Sequence, residues 1–482
     1  MYGRIMVAAP KSGSGKTLLT CGLLTVMKNR NLSVRAYKCG PDYIDPMFHR
    51  QVLGVPGGNL DSYFSGEEAI RKRIRNEMKN TDIAVMEGVM GYYDGLGGNS
   101  TRASSYDIAR ITKTPVILVI DGKGMSLSMG AVIKGFREYR KDSRIAAVIA
   151  NRTNPMMESR LRSCVEEQGV AFLGCLPALD DWRWESRHLG LMLPDEIGNV
   201  RETVERLAEG MERYLDIGRL LSIASEAESL SSGESQTDGV NLKDDVDLAG
   251  DENRSSSPAE NKTVKIAVAM DEAFCFYYQE NLAMLEELGA ELLYFSPMRD
   301  GKLPEETDGL LLGGGYPESC ARELAENSAM NEAVREAAKN GMPISAECGG
   351  FLYLQEELEG EDGRFYPMAG VLKGKGFRTG KLNRFGYIEL TAGKNGGFMK
   401  AGDTIRGHEF HYWDSTENGS SFHAEKPAGK KGWDCIRTEL NITAGFPHLY
   451  YPSGPSYAKG FVRSCVEYGK YRRYKGCRTE KK

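Results

Sequence analysis

Two short stretches hold the residues whose types and spacing could do chemistry. The first is Pro10-Lys11-Ser12-Gly13-Ser14-Gly15-Lys16-Thr17, between an apolar run and a helical one. Strand, Gly-rich loop, Gly-Lys-Thr and helix make a phosphate-binding loop, in which backbone N–H groups and the helix dipole face an anion. Gly13, Ser14, Gly15, Lys16 and Thr17 are the expected ATP contacts, with Lys16 at the β/γ-phosphates and the Thr17 hydroxyl on Mg²⁺. The second stretch is Ile344–Leu354, ISAECGGFLYL. It reads as a buried strand, a sharp turn with Cys348 at its tip, and a helix start. Two glycines allow close backbone approach. A helix N-terminus at the sulfur predicts a stabilised thiolate, the form that attacks carbonyls. This is a nucleophile elbow with Cys in place of Ser.

These stretches need a scaffold, and the N-terminal half spells one out. Strands are expected at residues 4–9, 33–38, 82–86, 116–120, 145–150 and 172–176, with a helix after the loop and another over 196–221. Strand alternating with helix predicts a doubly wound parallel sheet whose ligands bind at the C-terminal strand edge. Polar residues gather at that edge: Lys38, then Asp42 and Asp45 in GPDYIDP; Glu87 and Asp94 in EGVMGYYDG; Asp121; Asn151. Asp42 and Glu87 join Thr17 as expected metal ligands, and Asn151 is a candidate for the adenine edge. Lys11, Lys38, Asp45, Asp94 and Asp121 are candidates for substrate or phosphate. So are Arg187 and His188 in the Trp- and Arg-rich run 181–193.

In the C-terminal half, strands are expected at 265–270, 292–296 and 309–312 before the Cys348 elbow. Gly313-Gly314-Gly315 follows the last of them. The N–H groups of Gly314 and Gly315 are therefore placed to form an oxyanion hole. Amide hydrolysis by a thiol also needs a proton shuttle. The downstream histidines are His408, His411, His423 and His448, and His448 near the end of the domain is the leading candidate.

Length and composition bound the rest. The 482 residues suffice for two cored domains. A net charge of −5 argues against nucleic-acid binding, and ten scattered cysteines fit free thiols in the cytoplasm. No apolar run is long enough to span a membrane. The expected organisation is an ATP- and substrate-binding domain over 1–224, a disordered acidic linker over 225–262, an amidase domain over 263–465 and a solvated basic tail over 466–482. The linker lacks aromatic residues and is rich in Ser, Asp, Glu and Gly.

Several stretches coincide with one family: APKSGSGKT, YKCGPDYIDP, NLDSYF, VMEGVMGYYDG, SRHLGL, LLLGGGYPE, SAECGGFLYL, NRFGYIEL and RGHEFHYWD. In these the chain resembles the cobyrinic acid a,c-diamide synthases. Pro10 replaces the usual first glycine of the phosphate loop, and Lys11 resembles the extra lysine of partition-ATPase and dethiobiotin synthetase loops. The resemblance implies a dethiobiotin synthetase-like P-loop domain followed by a class I glutamine amidotransferase domain. It implies ATP as substrate, Mg²⁺ as the sole cofactor, and small-molecule partners: glutamine and a polycarboxylate tetrapyrrole, with neither nucleic acid nor membrane. A homodimer is the assembly allowed for. Class I amidotransferases place a Glu two residues after the His, where this chain has Tyr450. Three other readings compete: a cobyric acid synthase, the same chemistry on nickel-sirohydrochlorin, and a partitioning-type ATPase switch.

Overall fold

A computed structural model describes residues 3–178, 194–230, 263–394, 397–429 and 431–479. The chain divides into two compact units, Met1–Ser232 and Gly233–Lys482. Among the described residues no helix is long and apolar enough to cross a membrane.

The first unit is built on seven strands: β1 (Gly3–Ala8), β2 (Val34–Cys39), β3 (Gly57–Leu60), β4 (Ile83–Glu87), β5 (Val116–Asp121), β6 (Ile145–Asn151) and β7 (Ala171–Cys175). They pair in parallel in the order β3-β2-β4-β1-β5-β6-β7. The central strand shows why its sequence is apolar throughout. Ile5 and Val7 enter one core, Met6 and Ala8 the other, so both faces are covered. The chain reverses its direction of sheet growth at β1, and the phosphate loop leaves β1 at this switch point. Helix α1 (Lys16–Asn29) follows, starting from Gly15 in the left-handed region at φ 94°. Its first turn carries no acidic residue, so nothing on the helix neutralises its positive end. Helix α2 (Ile44–Gln51) follows β2 and puts Asp45 and His49 one turn apart on one face.

Two expectations for this unit need correction. The helix expected over 196–221 is two helices, Pro194–Tyr214 and Ile217–Ser225. Leu215 bridges to Gly174, and the Asp216 carboxylate caps the second helix at Arg219 N–H, 2.8 Å. The expected linker also begins too early. Glu228 pairs with Lys113 and Arg144, and Leu230 is buried in a core of the first unit. The remainder of that linker, 231–262, lies outside the described residues, as do Arg187 and His188.

The second unit holds β8 (Val264–Ala269), β9 (Ala290–Phe295), β10 (Gly309–Leu312) and β11 (Ile344–Glu347) in a sheet with Ile442–Gly445 and Arg437–Glu439. β11 lies between β10 and Ile442–Gly445, and pairs Glu347 with Gly445. A second, largely antiparallel sheet was not anticipated. Its long strands, Lys375–Ala392 and Thr404–Ser415, pair with register shifts around Asn383. The short strand His448–Leu449 pairs with Thr404–Ser415 and sets His448 opposite His408. The tail is no solvated end: Ser456–Thr479 is one helix, and Arg472 and Arg473 lie 3.1 and 3.6 Å from the buried Asp308 carboxylate.

Two candidate active sites

The phosphate loop opens on a cleft of about 900 Å³ at the C-terminal edge of the first sheet. Gly13, Gly15, Lys16, Thr17, Lys38, Asp42, Asp45, Asp121 and Asn151 line it. Ser14 is buried in the loop and donates from Oγ to the Lys11 carbonyl, 3.1 Å. The Lys11 side chain is exposed and does not line the cleft. Asp94 caps its own turn at Gly91 N–H, 3.1 Å.

The centre of the cleft is a compensated charge cluster. The Lys38 ammonium donates to Asp45 and, at 2.8 Å, to Glu87, and lies 3.9 Å from Asp42. Thr17 Oγ1 donates to Glu87 at 2.5 Å. Burial opposes every charge here. At Glu87 burial is the largest influence and raises the carboxyl, but the Lys38 ammonium, His49 and a hydrogen bond from Asp45 together outweigh it and hold it below its usual range. Asp45, buried beside that charge, is pushed up. Lys16 is lowered to about 8, by burial first and then by Lys38. Lys16 turns to the Met90 carbonyl at 2.6 Å, which Met90 presents from the left-handed region at φ 50°. Such a conformation costs a non-glycine residue about 1–3 kcal/mol and persists only where the surroundings impose it.

Asn151, the candidate for the adenine edge, lines the cleft and also touches the loop. Its amide donates to the Ser14 carbonyl at 2.9 Å, so it braces the loop. Arg152, which was not singled out, adds a second brace: it donates to the Gly13 carbonyl at 2.6 Å and pairs with Asp121 at 2.9 Å. His49 was also missed. Its Nε2 lies 3.5 Å from Glu87 Oε2, and both groups are fully buried. Only the one-turn spacing from Asp45 could have flagged it.

The second site forms around Cys348. Its backbone sits at φ 47°, ψ −100°, the strained elbow that the pattern predicted. Close packing explains the glycines that follow. A Cβ on Gly350 would lie 2.2 Å from the Leu312 carbonyl, and one on Gly349 would lie 2.9 Å from Pro317 and 3.1 Å from Gly315 N. Cys348 N–H donates to Gly445 at 2.8 Å, which ties the elbow to the strand leading to His448. A Cβ on Gly314 would lie 2.4 Å from His448 Cε1, so the imidazole rests directly on the glycine turn. That turn is pinned from both sides: Gly313 N–H donates to Tyr277 Oη at 2.8 Å, and Gly314 C=O accepts from Cys275 and Phe276. Cys348, Gly314, Gly315 and His448 thus converge.

The other histidines separate. His408 stacks on His448 at 5.1 Å and meets Tyr278 Oη through Nδ1 at 3.1 Å. His411 stacks on Phe446 and is held by Glu409 at 3.1 Å. His423 is on the surface, paired with Asp434. The expected thiolate needs correction. Burial, then the charges of Glu318 and Glu409, push the Cys348 thiol well up. Burial likewise lowers His448, and His408 to about 3. The site rests uncharged, with a neutral imidazole that can accept a proton.

A phosphate-loop unit joined to a unit with a Cys elbow, glycine turn and buried His defines a nucleotide-binding glutamine amidotransferase. Family models agree: residues 5–191 match the CobQ/CobB/MinD/ParA nucleotide binding domain, and residues 265–454 match the CobB/CobQ-like glutamine amidotransferase domain. Full-length relatives narrow this further. Cobyrinate a,c-diamide synthase of Caldanaerobacter subterraneus subsp. tengcongensis is 36% identical over 96% of this chain and 99% of its own length. That of Thermoplasma volcanium is 35% identical over 97% and 98%, and that of Dehalococcoides mccartyi strain 195 is 36% identical over 96% and 98%. The chain belongs to the cobyrinate a,c-diamide synthase family. It is an amide-forming ligase with glutamine as nitrogen donor.

Proposed function

We propose that this chain amidates the a and c acetate side chains of cobyrinate in cobalamin biosynthesis, as a cytoplasmic enzyme consuming ATP and glutamine. The observation that carries this is identity of 35–36% to named relatives over nearly the full length. In the first unit, the carboxylate attacks the γ-phosphate of ATP to give an acyl phosphate and ADP. Lys16 and the loop N–H groups hold the phosphates, and Arg152 and Asn151 keep the loop in shape. Thr17 and Glu87 fit a Mg²⁺ ion: both offer oxygen donors, and Glu87 Oε2 is buried with no hydrogen-bond partner among the described residues. Asp42 and Asp45 border the same cluster, where Lys38 now holds Asp45 and Glu87. When bound, the ion would neutralise charge on the transferring phosphoryl group.

In the second unit, His448 takes the Sγ proton as Cys348 attacks the glutamine amide. The Gly314 and Gly315 N–H groups receive the oxyanion. The C–N bond breaks, His448 returns the proton to the departing ammonia, and water hydrolyses the thioester to glutamate. Ammonia displaces phosphate from the acyl phosphate and the amide forms. The ATPase-switch reading has no use for the Cys348 elbow, and the cited relatives do not favour cobyric acid synthase or the nickel-sirohydrochlorin enzyme. Mass spectrometry of reactions with ATP, glutamine and either cobyrinate or nickel-sirohydrochlorin tests the substrate. The expected result is a gain of two amides on cobyrinate. Amidation of nickel-sirohydrochlorin only would refute the assignment.

A further inference from the structure

Tyr450 occupies the position where class I amidotransferases carry a carboxylate. It packs edge-on against Tyr278, with ring centroids 5.4 Å apart. The proton shuttle therefore needs its partner from elsewhere, or works without one. Glu409 is already committed to His411 at 3.1 Å and Trp433 Nε1 at 3.3 Å. Glu347 remains. It ends β11, one residue before the nucleophile, and is 7% exposed. Its Oε2 accepts from Leu449 N–H at 3.3 Å and lies 4.0 Å from His448 Nδ1. Its Oε1 is buried with no partner at full hydrogen-bond geometry among the described residues, and the Tyr451 phenol is the side-chain donor that reaches the carboxyl. Burying a carboxyl is costly, and here the cost places an acceptor beside the His448 ring.

We infer that Glu347 is the positioning residue for His448, supplying from the nucleophile strand the carboxylate that the sequence lacks after the histidine. The inference rests on the amidotransferase reading above. As His448 takes the Cys348 proton, its Nδ1–H gains a carboxylate acceptor that fixes the ring and stabilises the imidazolium. Catalytic hydrogen bonds are often long before substrate binds, and 4.0 Å is a separation that closure on glutamine can shorten. The surroundings let charge appear only when needed. The Tyr277, Tyr451 and Tyr457 phenols face Glu347, together with Leu449 N–H and His448. Burial pushes the Glu347 carboxyl up to about 8. Because the acceptor form is the carboxylate, the amidase rate is expected to rise with pH as Glu347 ionises.

The test is Glu347→Gln, which keeps shape and the Leu449 acceptor but removes the charge. Glutamate release should fall on the order of 10²-fold in kcat, the scale of a lost proton-transfer aid. KM for glutamine should stay within about twofold. The alkaline rise of kcat should flatten, Glu347→Asp should restore part of the rate, and Tyr450→Phe should keep the wild-type rate. Amidation with ammonium should be unchanged. Wild-type kcat and pH profile in Glu347→Gln would overturn the inference. So would a loss in which KM rises, the melting temperature drops and the pH profile keeps its shape. A wild-type chain that releases no glutamate would instead overturn the amidotransferase reading, and the inference with it.

Discussion

The two sites solve the same electrostatic problem in opposite ways. The phosphate cleft gathers Lys16, Lys38, Asp42, Asp45 and Glu87: Lys38 pairs with the carboxylates and keeps its charge and that of Glu87, while Lys16 and Asp45 are drawn toward neutral. The thiol site buries Cys348, His448, His408 and Glu347, and burial drives each toward its neutral form. The difference follows from what each must receive. ATP and a polycarboxylate arrive charged, so a site of exchangeable ion pairs can swap partners at little net cost. Glutamine presents a neutral amide, so a neutral dry site binds it readily, and charge develops only along the reaction.

Breaking the cleft should separate the two halves. Glu87→Gln removes the carboxylate that Lys38 and Thr17 share. Substrate-dependent phosphate release is expected to fall by roughly two to four orders of magnitude, the scale of losing a positioned charge in a preorganised site. Parallel assays of phosphate and glutamate would show it. Glutamate release should stay within about threefold, since the two sites sit in separate units. Phosphate release near the wild-type rate would remove Glu87 from the metal site and leave Asp42 or Asp94.

Lys38→Met sharpens the same contrast in stability. It leaves Asp45 and Glu87 buried without their common cation. Removing one partner of a buried pair costs about 3–5 kcal/mol. Chemical denaturation should show that loss in the first unit's transition only. Unchanged stability would mean that the cluster is solvated and the pairing unimportant. The smallest effect expected in this series is again on the second unit, whose glutaminase should be untouched.

Legibility followed the same divide. Strand ends and the loop were readable because a parallel sheet buried on both faces gives continuous apolar runs that stop at polar residues, as at Glu87 and Asn151. The elbow was readable because Gly349 and Gly350 are forced by contacts with Pro317 and Leu312. Roles were harder to read than positions. Asn151 and Arg152 brace the loop, and no local pattern separates bracing from base recognition. The thiolate expectation failed because a helix-terminus argument ignores burial, which depends on the whole fold. Glu347 lay in plain view beside Cys348. Its relation to His448 arises only from the parallel pairing of β11 with Ile442–Gly445 and the return at His448. The antiparallel sheet was missed because its strands are long, polar and broken by glycine.

The proposed mechanism makes one chain two separable catalysts joined by ammonia. Cys348→Ser tests it most directly, with amide formation on cobyrinate followed by mass spectrometry, using glutamine or ammonium at alkaline pH as nitrogen source. The glutamine-dependent product should disappear while the ammonium-dependent product forms at close to the wild-type rate. Loss of both, in a variant that still melts like the wild type, would contradict it and make Cys348 part of the synthetase step.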